Sequence, residues 1–239
     1  MKPLFITSKD GTKIAYETVG HGQVVIVILG ALNSRKSGAK LAKLLSSQFT
    51  VVSYDRRGRN DSTDTAPYSP QREVEDVAAL IGAVGGPVCL YGHSSGAAVA
   101  LQAAIKLRKQ VRKAAIYEAP YALDAGARKA AREYYKMLRK LLRSGRSGDA
   151  VALFVRSVGV SDNQVEAMRR LPMWRGLRSW RQHLRMTAKS WVTGILCRPI
   201  SYHALPLQHL SCTAVPAPRP CAMRLARSVK PFPGRNFAL

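Results

Sequence analysis

A Gly-x-Ser-x-Gly run at residues 92–96 is the segment of this sequence whose chemistry is easiest to name. It follows a short apolar stretch at 88–91 and precedes small, helix-favouring residues at 97–107. A sharp strand-to-helix turn of this kind exposes its serine hydroxyl at the carboxyl end of a sheet. We therefore predict that Ser94 is the nucleophile of an acyl-transfer reaction. The alternative is a Gly- and Ser-rich turn that does no chemistry.

The residues around Ser94 fit a nucleophile turn. Gly92 and Gly96 lack the Cβ atoms that would clash there. The N–H group of Ser95 is expected at a helix N-terminus, where backbone donors are unpaired and can stabilise an oxyanion. His93 lies inside the motif, and we expect it to pack or to hydrogen-bond locally rather than to act as the base.

An oxyanion is best held by two donors, and the sequence offers the second one before the serine. Residues 24–29 form an apolar, β-branched run that predicts a strand buried on both faces. Gly30 closes this run and would let the following loop approach the serine. We assign the second donor to the N–H group of Ala31.

These residues need a scaffold that brings several loops to one edge of a sheet. Asp10-Gly11 separates two strand-like segments and predicts a hairpin at the sheet edge. Strand and helix patterns then alternate up to residue 120, which indicates βαβ units and an α/β fold. The predicted strands are 5–8, 13–18, 24–29, 50–54, 87–91 and 113–117, and the predicted helices here are 36–46, 72–84 and 97–107.

The pattern changes after Pro120, because three helical segments follow with no strand between them. Such a run is typical of a helical cap inserted in an α/β domain. The three segments are 125–143, 149–157 and 163–171. We predict an α/β core at 1–121, a helical cap at 122–174 and an atypical tail at 175–239.

The charge of the chain is unevenly distributed. The formal net charge is +24, yet residues 167–239 contain 13 Lys and Arg and no acidic residue. An ordinary domain intersperses both signs of charge, so this end differs in character from the rest. The hydrophobic content of 46% excludes a chain that is disordered throughout.

A high positive charge introduces a second function class, a binder of nucleic acid or of an anionic surface. Such a basic face is usually only solvated, and the nearby aromatic residues fit a core better than a base-stacking platform, so a nucleic-acid partner is not expected. A non-enzymatic binding protein on the same fold is a third class. The basic face consists of Arg128, Lys129, Arg132, Lys136, Arg139, Lys140 and Arg143.

No membrane span or export signal is predicted. The apolar part of residues 1–5 is too short for a signal peptide, and the sequence has no 18-residue apolar run. We therefore expect a cytoplasmic protein. The four Cys residues lack metal-ligand spacing with nearby His residues, and we expect neither a metal nor an organic cofactor.

Four segments of the sequence resemble the α/β-hydrolase family, over about residues 1–174. The resemblance implies an α/β-hydrolase fold, with a mostly parallel sheet, flanking helices and a helical cap. It implies a serine hydrolase that acts on a small ester or related acyl substrate. The segments are Leu29-Gly30-Ala31, Tyr54-Asp55-Arg56-Arg57-Gly58-Arg59-Asn60-Asp61-Ser62, the turn at 92–96, and Tyr117-Glu118-Ala119-Pro120.

Two positions within these segments need comment. The family usually has His where this chain has Leu29, which leaves the exact oxyanion donor open. The resemblance also implies that Asp55 and Arg57 have a structural role and stabilise the conformation of their loop.

The resemblance further implies a triad in the chain order Ser, acid, His. Glu118 is the only acid at the carboxyl end of a predicted strand after the turn, so it is the candidate acid. The alternative is a carboxylate that pairs with a nearby Arg or with the cap backbone. His183, His203 and His209 lie in the tail, but none follows a strand in the expected way, and each is expected to be an exposed loop residue.

The acid-free tail suggests a specific hypothesis, a shift of reading frame near residues 175–178. Synonymous codons exist for which residues 210–238, read one frame over, encode a strand, a Gly turn, an amphipathic helix and a further strand. That reading restores acidic residues and resembles the missing end of the family's core. We therefore expect the C-terminal core strands to be missing or non-native and esterase activity to be weak or absent. The coding nucleotide sequence tests this hypothesis directly.

Overall fold

The computed structural model describes residues 2–121 and 124–172, together with residues 174, 176, 184, 210 and 211. The described chain forms one mixed sheet with helices on both faces and a separate group of three helices. The α/β class predicted from the sequence is therefore confirmed.

The sheet begins with an antiparallel hairpin and continues as parallel strands. In the part of the chain that is described, the strand order is β1-β2-β4-β3-β5-β6-β7. The hairpin pairs β1 with β2, and β2 pairs antiparallel with β4, whereas every later neighbour is parallel. The strands are β1 Leu4–Thr7, β2 Lys13–Val19, β3 Gln23–Ile28, β4 Phe49–Tyr54, β5 Val88–His93, β6 Val111–Tyr117 and β7 Leu210–Ser211.

The central strand β3 shows why its sequence is apolar throughout. Successive side chains of a strand point to opposite faces of the sheet. Ile26 and Ile28 therefore enter the cluster beneath two helices on one face, and Val25 and Val27 enter the cluster on the other face. A strand covered on both faces has no position left for a polar residue.

Three helices cover this sheet. Helices α2 Pro70–Val84 and α3 Ser95–Leu107 pack against the Ile26 and Ile28 face, and α1 Ala39–Leu45 covers the other face. Helix α1 begins three residues later than the predicted start at 36, because Arg35–Gly38 forms a 3₁₀ turn.

The other three helices bury a cluster of their own. They are α4 Ala125–Arg143, α5 Ser147–Ser157 and α6 Asp162–Arg170. Leu138, Val151 and Val165 are fully buried where the helices meet. Leu32, from the loop after β3, packs against the same cluster. The three helices thus touch the sheet domain at that loop.

Most of the tail predicted at 175–239 lies outside the described residues, as do its three His residues and its proposed frame shift. One part is described, since β7 pairs in parallel with β6 through Leu210 and Ser211. None of the helices that are described is long and apolar enough to cross a membrane.

Candidate active site

Ser94 lies in a strained turn between β5 and α3. Its backbone angles are φ 54° and ψ −124°, in a region that residues other than Gly rarely occupy. Two hydrogen bonds hold the turn: the Ser94 N–H donates to the Tyr117 carbonyl at 2.9 Å, and the Ala97 N–H donates to the Ser94 carbonyl at 2.9 Å. The end of β6 thus fixes the serine at the carboxyl edge of the sheet.

The two Gly residues of the motif are required by packing. A Cβ atom added to Gly92 would lie 2.6 Å from Ala97 Cα, and one added to Gly96 would lie 2.0 Å from the Ile28 carbonyl oxygen. Both distances are far below van der Waals contact. Helix α3 therefore starts in direct backbone contact with β3, and larger residues would push it away.

The loop after β3, residues 29–33, lies against the serine. A Cβ atom added to Gly30 would be 3.0 Å from Ser94 Cβ and 3.4 Å from Ser94 Oγ. Within the described residues, neither the Ala31 N–H nor the Ser95 N–H donates a hydrogen bond. The residue after Gly30 and the residue after Ser94 thus each have an unpaired backbone N–H in the described part of the chain.

His93 and Glu118 lie next to this turn. Their nearest atoms, His93 Nε2 and Glu118 Oε2, are 3.7 Å apart. The His93 ring also packs against Tyr117, with ring centroids 5.6 Å apart. Glu118 is half exposed and has a positive φ of 50°. The candidate acid Glu118 thus lies beside His93, the residue that precedes Ser94.

Arg56 connects the loop at residues 29–33 to the turn at Ser94 and Ser95. It is 3% exposed and is the second residue after β4. Its Nη1 atom donates to the Leu29 carbonyl at 3.0 Å and to Ser95 Oγ at 3.0 Å. Its Nε and Nη2 atoms contact both carboxylate oxygens of Glu73, in α2, at 2.5 and 2.6 Å.

The Arg56–Glu73 pair remains ionised despite its burial. Burial alone would raise the pKa of Glu73, but the charge of Arg56 and its hydrogen bonds outweigh that effect and lower the pKa to about 2.

Arg59 holds the loop at residues 29–33 from the same side. It is 2% exposed, and its Nη1 atom donates to the carbonyls of Gly30 at 2.7 Å and Asn33 at 3.1 Å. No ion pair joins Arg59 to a carboxylate in the part of the chain that is described. Burial, together with the positive charge of Arg56, lowers the pKa of Arg59.

Two further buried Arg residues tie down the surrounding loops. Arg57 contacts Asp10 at 2.8 Å and Asp76 at 2.6 Å. Arg35 pairs with Asp55, whose other oxygen accepts from the Arg35 N–H at 2.8 Å. The contacts of Arg57 and Asp55 agree with the structural part that the family resemblance gave them.

Sequence reasoning missed Arg56, Arg59 and Glu73 as parts of this site. The signal in the sequence was weak, because an Arg-rich segment after a strand ordinarily indicates an exposed loop. An acidic residue in the first turn of α2 was the matching partner.

A mixed sheet whose fifth strand ends in a turn at Ser94, with a group of helices that contacts the loop at residues 29–33, is the architecture of hydrolases of the α/β type. A model of the family described as "Alpha/beta hydrolase family" matches residues 29–234. This range includes most of the acid-free tail. The chain belongs to the α/β hydrolase family.

Relatives agree with this membership. An alpha/beta hydrolase from Sphaerobacter thermophilus, known from its crystal structure, is 40% identical with a TM-score of 0.71, and the match covers 82% of this chain and 76% of that one. The uncharacterized hydrolase YraK of Bacillus subtilis is 29% identical over 42% of this chain and 39% of its own length. The proline iminopeptidase PfmaB of Pestalotiopsis fici is 29% identical over 43% of this chain and 39% of its own length. The matches therefore span about two-fifths of the curated relatives.

Proposed function

We propose that this chain is a serine hydrolase of small esters or related acyl compounds and that Ser94 is its nucleophile. The observation that carries the proposal is the strained conformation of Ser94 at the start of α3, with Gly30 against its side chain. Strain of this kind persists only where the surrounding structure enforces it, and it is concentrated at functional sites.

The reaction would run through an acyl-enzyme. Ser94 Oγ attacks the substrate carbonyl carbon and forms a C–O bond, and the N–H groups of Ala31 and Ser95 stabilise the oxyanion. The ester C–O bond then breaks, and the alcohol leaves with a proton. Water hydrolyses the acyl-enzyme and restores the serine hydroxyl.

The expected rate depends on whether a base can accept the proton of the Ser94 hydroxyl. Glu118 is the candidate acid, since it lies beside the turn. A His base would have to come from residues 175–239, where the sequence places none of the three His residues after a predicted strand. Loss of the base from such a site removes most of the rate, because the serine hydroxyl then attacks without giving up its proton to an imidazole. We therefore expect slow turnover that depends on Ser94.

The substrate would enter between the turn and the three cap helices, since Leu32 links the loop at 29–33 to their apolar cluster. Such a site suits a small molecule with an apolar portion.

Hydrolysis of a p-nitrophenyl ester tests the proposal. The wild-type chain should release p-nitrophenol slowly, and Ser94→Ala should reduce the rate to that of buffer. His21→Gln serves as a control, because His21 lies in the loop between β2 and β3 at the far ends of those strands. Equal rates in wild type and Ser94→Ala would contradict the proposal.

A further inference from the structure

The loop at residues 29–33 has an unusual set of hydrogen bonds. Four of its five carbonyl groups accept from a side chain: Leu29 from Arg56, Gly30 and Asn33 from Arg59, and Ala31 from the Asn33 side chain at 2.9 Å. The fifth residue, Leu32, has a positive φ of 55°. Side chains rather than regular secondary structure therefore fix the path of this loop.

The orientation of each peptide group follows from these bonds. In a trans peptide, the carbonyl of one residue and the N–H of the next point in opposite directions. Arg59 on the Gly30 carbonyl therefore directs the Ala31 N–H to the opposite side. Rotation of this peptide by half a turn would replace the donor with a carbonyl oxygen, which repels an oxyanion.

Arg56 also joins the two segments that carry the backbone donors. Arg56 Nη1 bonds to Leu29 in the loop and to the Ser95 hydroxyl in the turn. One guanidinium thus links the peptide chain on both sides of the proposed oxyanion site, and Glu73 anchors that guanidinium to α2.

The electrostatics of Arg59 favour a role beyond packing. A buried guanidinium whose bonds go to carbonyls, with no carboxylate partner in the described residues, is costly to desolvate. Its positive charge lies behind the peptide groups that would face a developing negative charge. A preorganised charge of this sign stabilises an oxyanion.

We propose that Arg59, together with Arg56, is a positioning residue that holds the Ala31 N–H in the orientation required to stabilise the oxyanion formed at Ser94. This inference rests on the proposed function. The side chains of the loop after β4 would thus act on catalysis indirectly, because they orient a peptide group of the loop after β3.

A matched pair of variants, Arg59→Lys and Arg57→Lys, tests the inference. Both residues are buried in the same loop, and both variants keep a positive charge but lose the planar fork of donors. Arg57 contacts Asp10 and Asp76 and makes no contact with residues 29–33 among the described interactions. A purely structural effect should therefore appear in both variants.

The measurement is the second-order rate constant for labelling of Ser94 by a fluorophosphonate, expressed per folded molecule. Arg59→Lys should lower this constant by about tenfold or more, since one lost oxyanion donor costs about 10²–10³-fold in related sites. Arg57→Lys should lower the thermal midpoint but leave the labelling rate within about twofold of wild type. Equal rates for Arg59→Lys and wild type would overturn the inference.

A second variant covers the case in which Arg59→Lys does not fold. Arg56→Lys keeps a positive charge opposite Glu73 but loses the fork that reaches the Leu29 carbonyl, and it should slow labelling by about threefold. An unchanged rate in this variant would count against the inference as well.

A structural readout separates this inference from the proposed function. If wild-type Ser94 is not labelled, the proposed function fails. The crystal structures of wild type and Arg59→Lys still decide the inference: a rotated or disordered Gly30–Ala31 peptide in the variant supports it, and an unchanged peptide overturns it.

Discussion

The loop that follows β4 and helix α4 are both rich in Arg, but they use the charge in opposite ways. Arg56, Arg57 and Arg59 are at most 3% exposed, and each donates hydrogen bonds to carboxylates or backbone carbonyls. On α4, by contrast, the Lys136 side chain is 72% exposed and pairs, among the described residues, with Glu133 on the same helix. The net charge therefore combines buried Arg residues that hold the fold with exposed basic residues that water solvates.

The difference is energetic. Removal of one partner from a buried ion pair costs about 3–5 kcal/mol, because the remaining charge stays buried without compensation. An exposed pair contributes about 0–1 kcal/mol, since water solvates either charge when its partner is lost. Substitution of a buried Arg residue or of its partner should therefore destabilise the fold, whereas substitution of a basic residue on α4 should have little effect on stability.

The largest expected effect is the loss of the Arg56 counter-charge. Glu73→Gln should lower the free energy of unfolding by about 3–5 kcal/mol, as measured by urea denaturation. The matched control is Glu133→Gln, which breaks the exposed pair with Lys136 and should cost less than about 1 kcal/mol. Similar losses in the two variants would remove the contrast between the regions.

Acid should weaken the same buried pair. The pKa of Glu73 is lowered from 4.5 to about 2 in the folded chain. Its contribution is therefore complete above about pH 4.5 and is lost as the pH falls through about 2. The stability difference between wild type and Glu73→Gln should shrink over this window, by up to about 3 kcal/mol at 1.36 kcal/mol per pH unit. A constant difference from pH 5 to pH 2 would contradict the ionised state of Glu73.

The smallest expected effect belongs to the N-terminus of helix α4. Asp124 accepts from the Ala127 N–H at 2.7 Å and caps the N-terminus of α4. Asp124→Ala should cost about 1 kcal/mol in thermal or urea unfolding, because one N-terminal donor loses its partner. Asp124→Asn, which can still accept this bond, is the control and should lose much less. A loss as large as that of Glu73→Gln would show that α4 is held as tightly as the core.

The elements that local pattern determines were predictable from the sequence. The apolar runs predicted the positions of the strands. The Gly residues of the turn were also predictable, because a side chain at either position would collide with the backbone of Ile28 or Ala97. Strand β5 continues through His93, past the predicted end at 91, because Gly92 and His93 still pair with β6.

Partner-dependent features were not predictable in the same way. A run of Arg residues ordinarily indicates an exposed loop, and the burial of Arg56 depends on Glu73, which lies 17 positions further along the chain. Hydrophobic periodicity contains no information on such pairs. The orientation of the peptide at Gly30 likewise depends on Arg59, which lies 29 positions away.

The central claim is that Ser94 is a nucleophile supported by the backbone donors around it. Mass spectrometry after treatment with a fluorophosphonate tests this claim most directly. We expect one adduct on Ser94 in the folded chain, formed faster than in urea-denatured chain and absent from Ser94→Ala. No adduct on the folded chain, or an equal amount of labelling in Ser94→Ala, would contradict it.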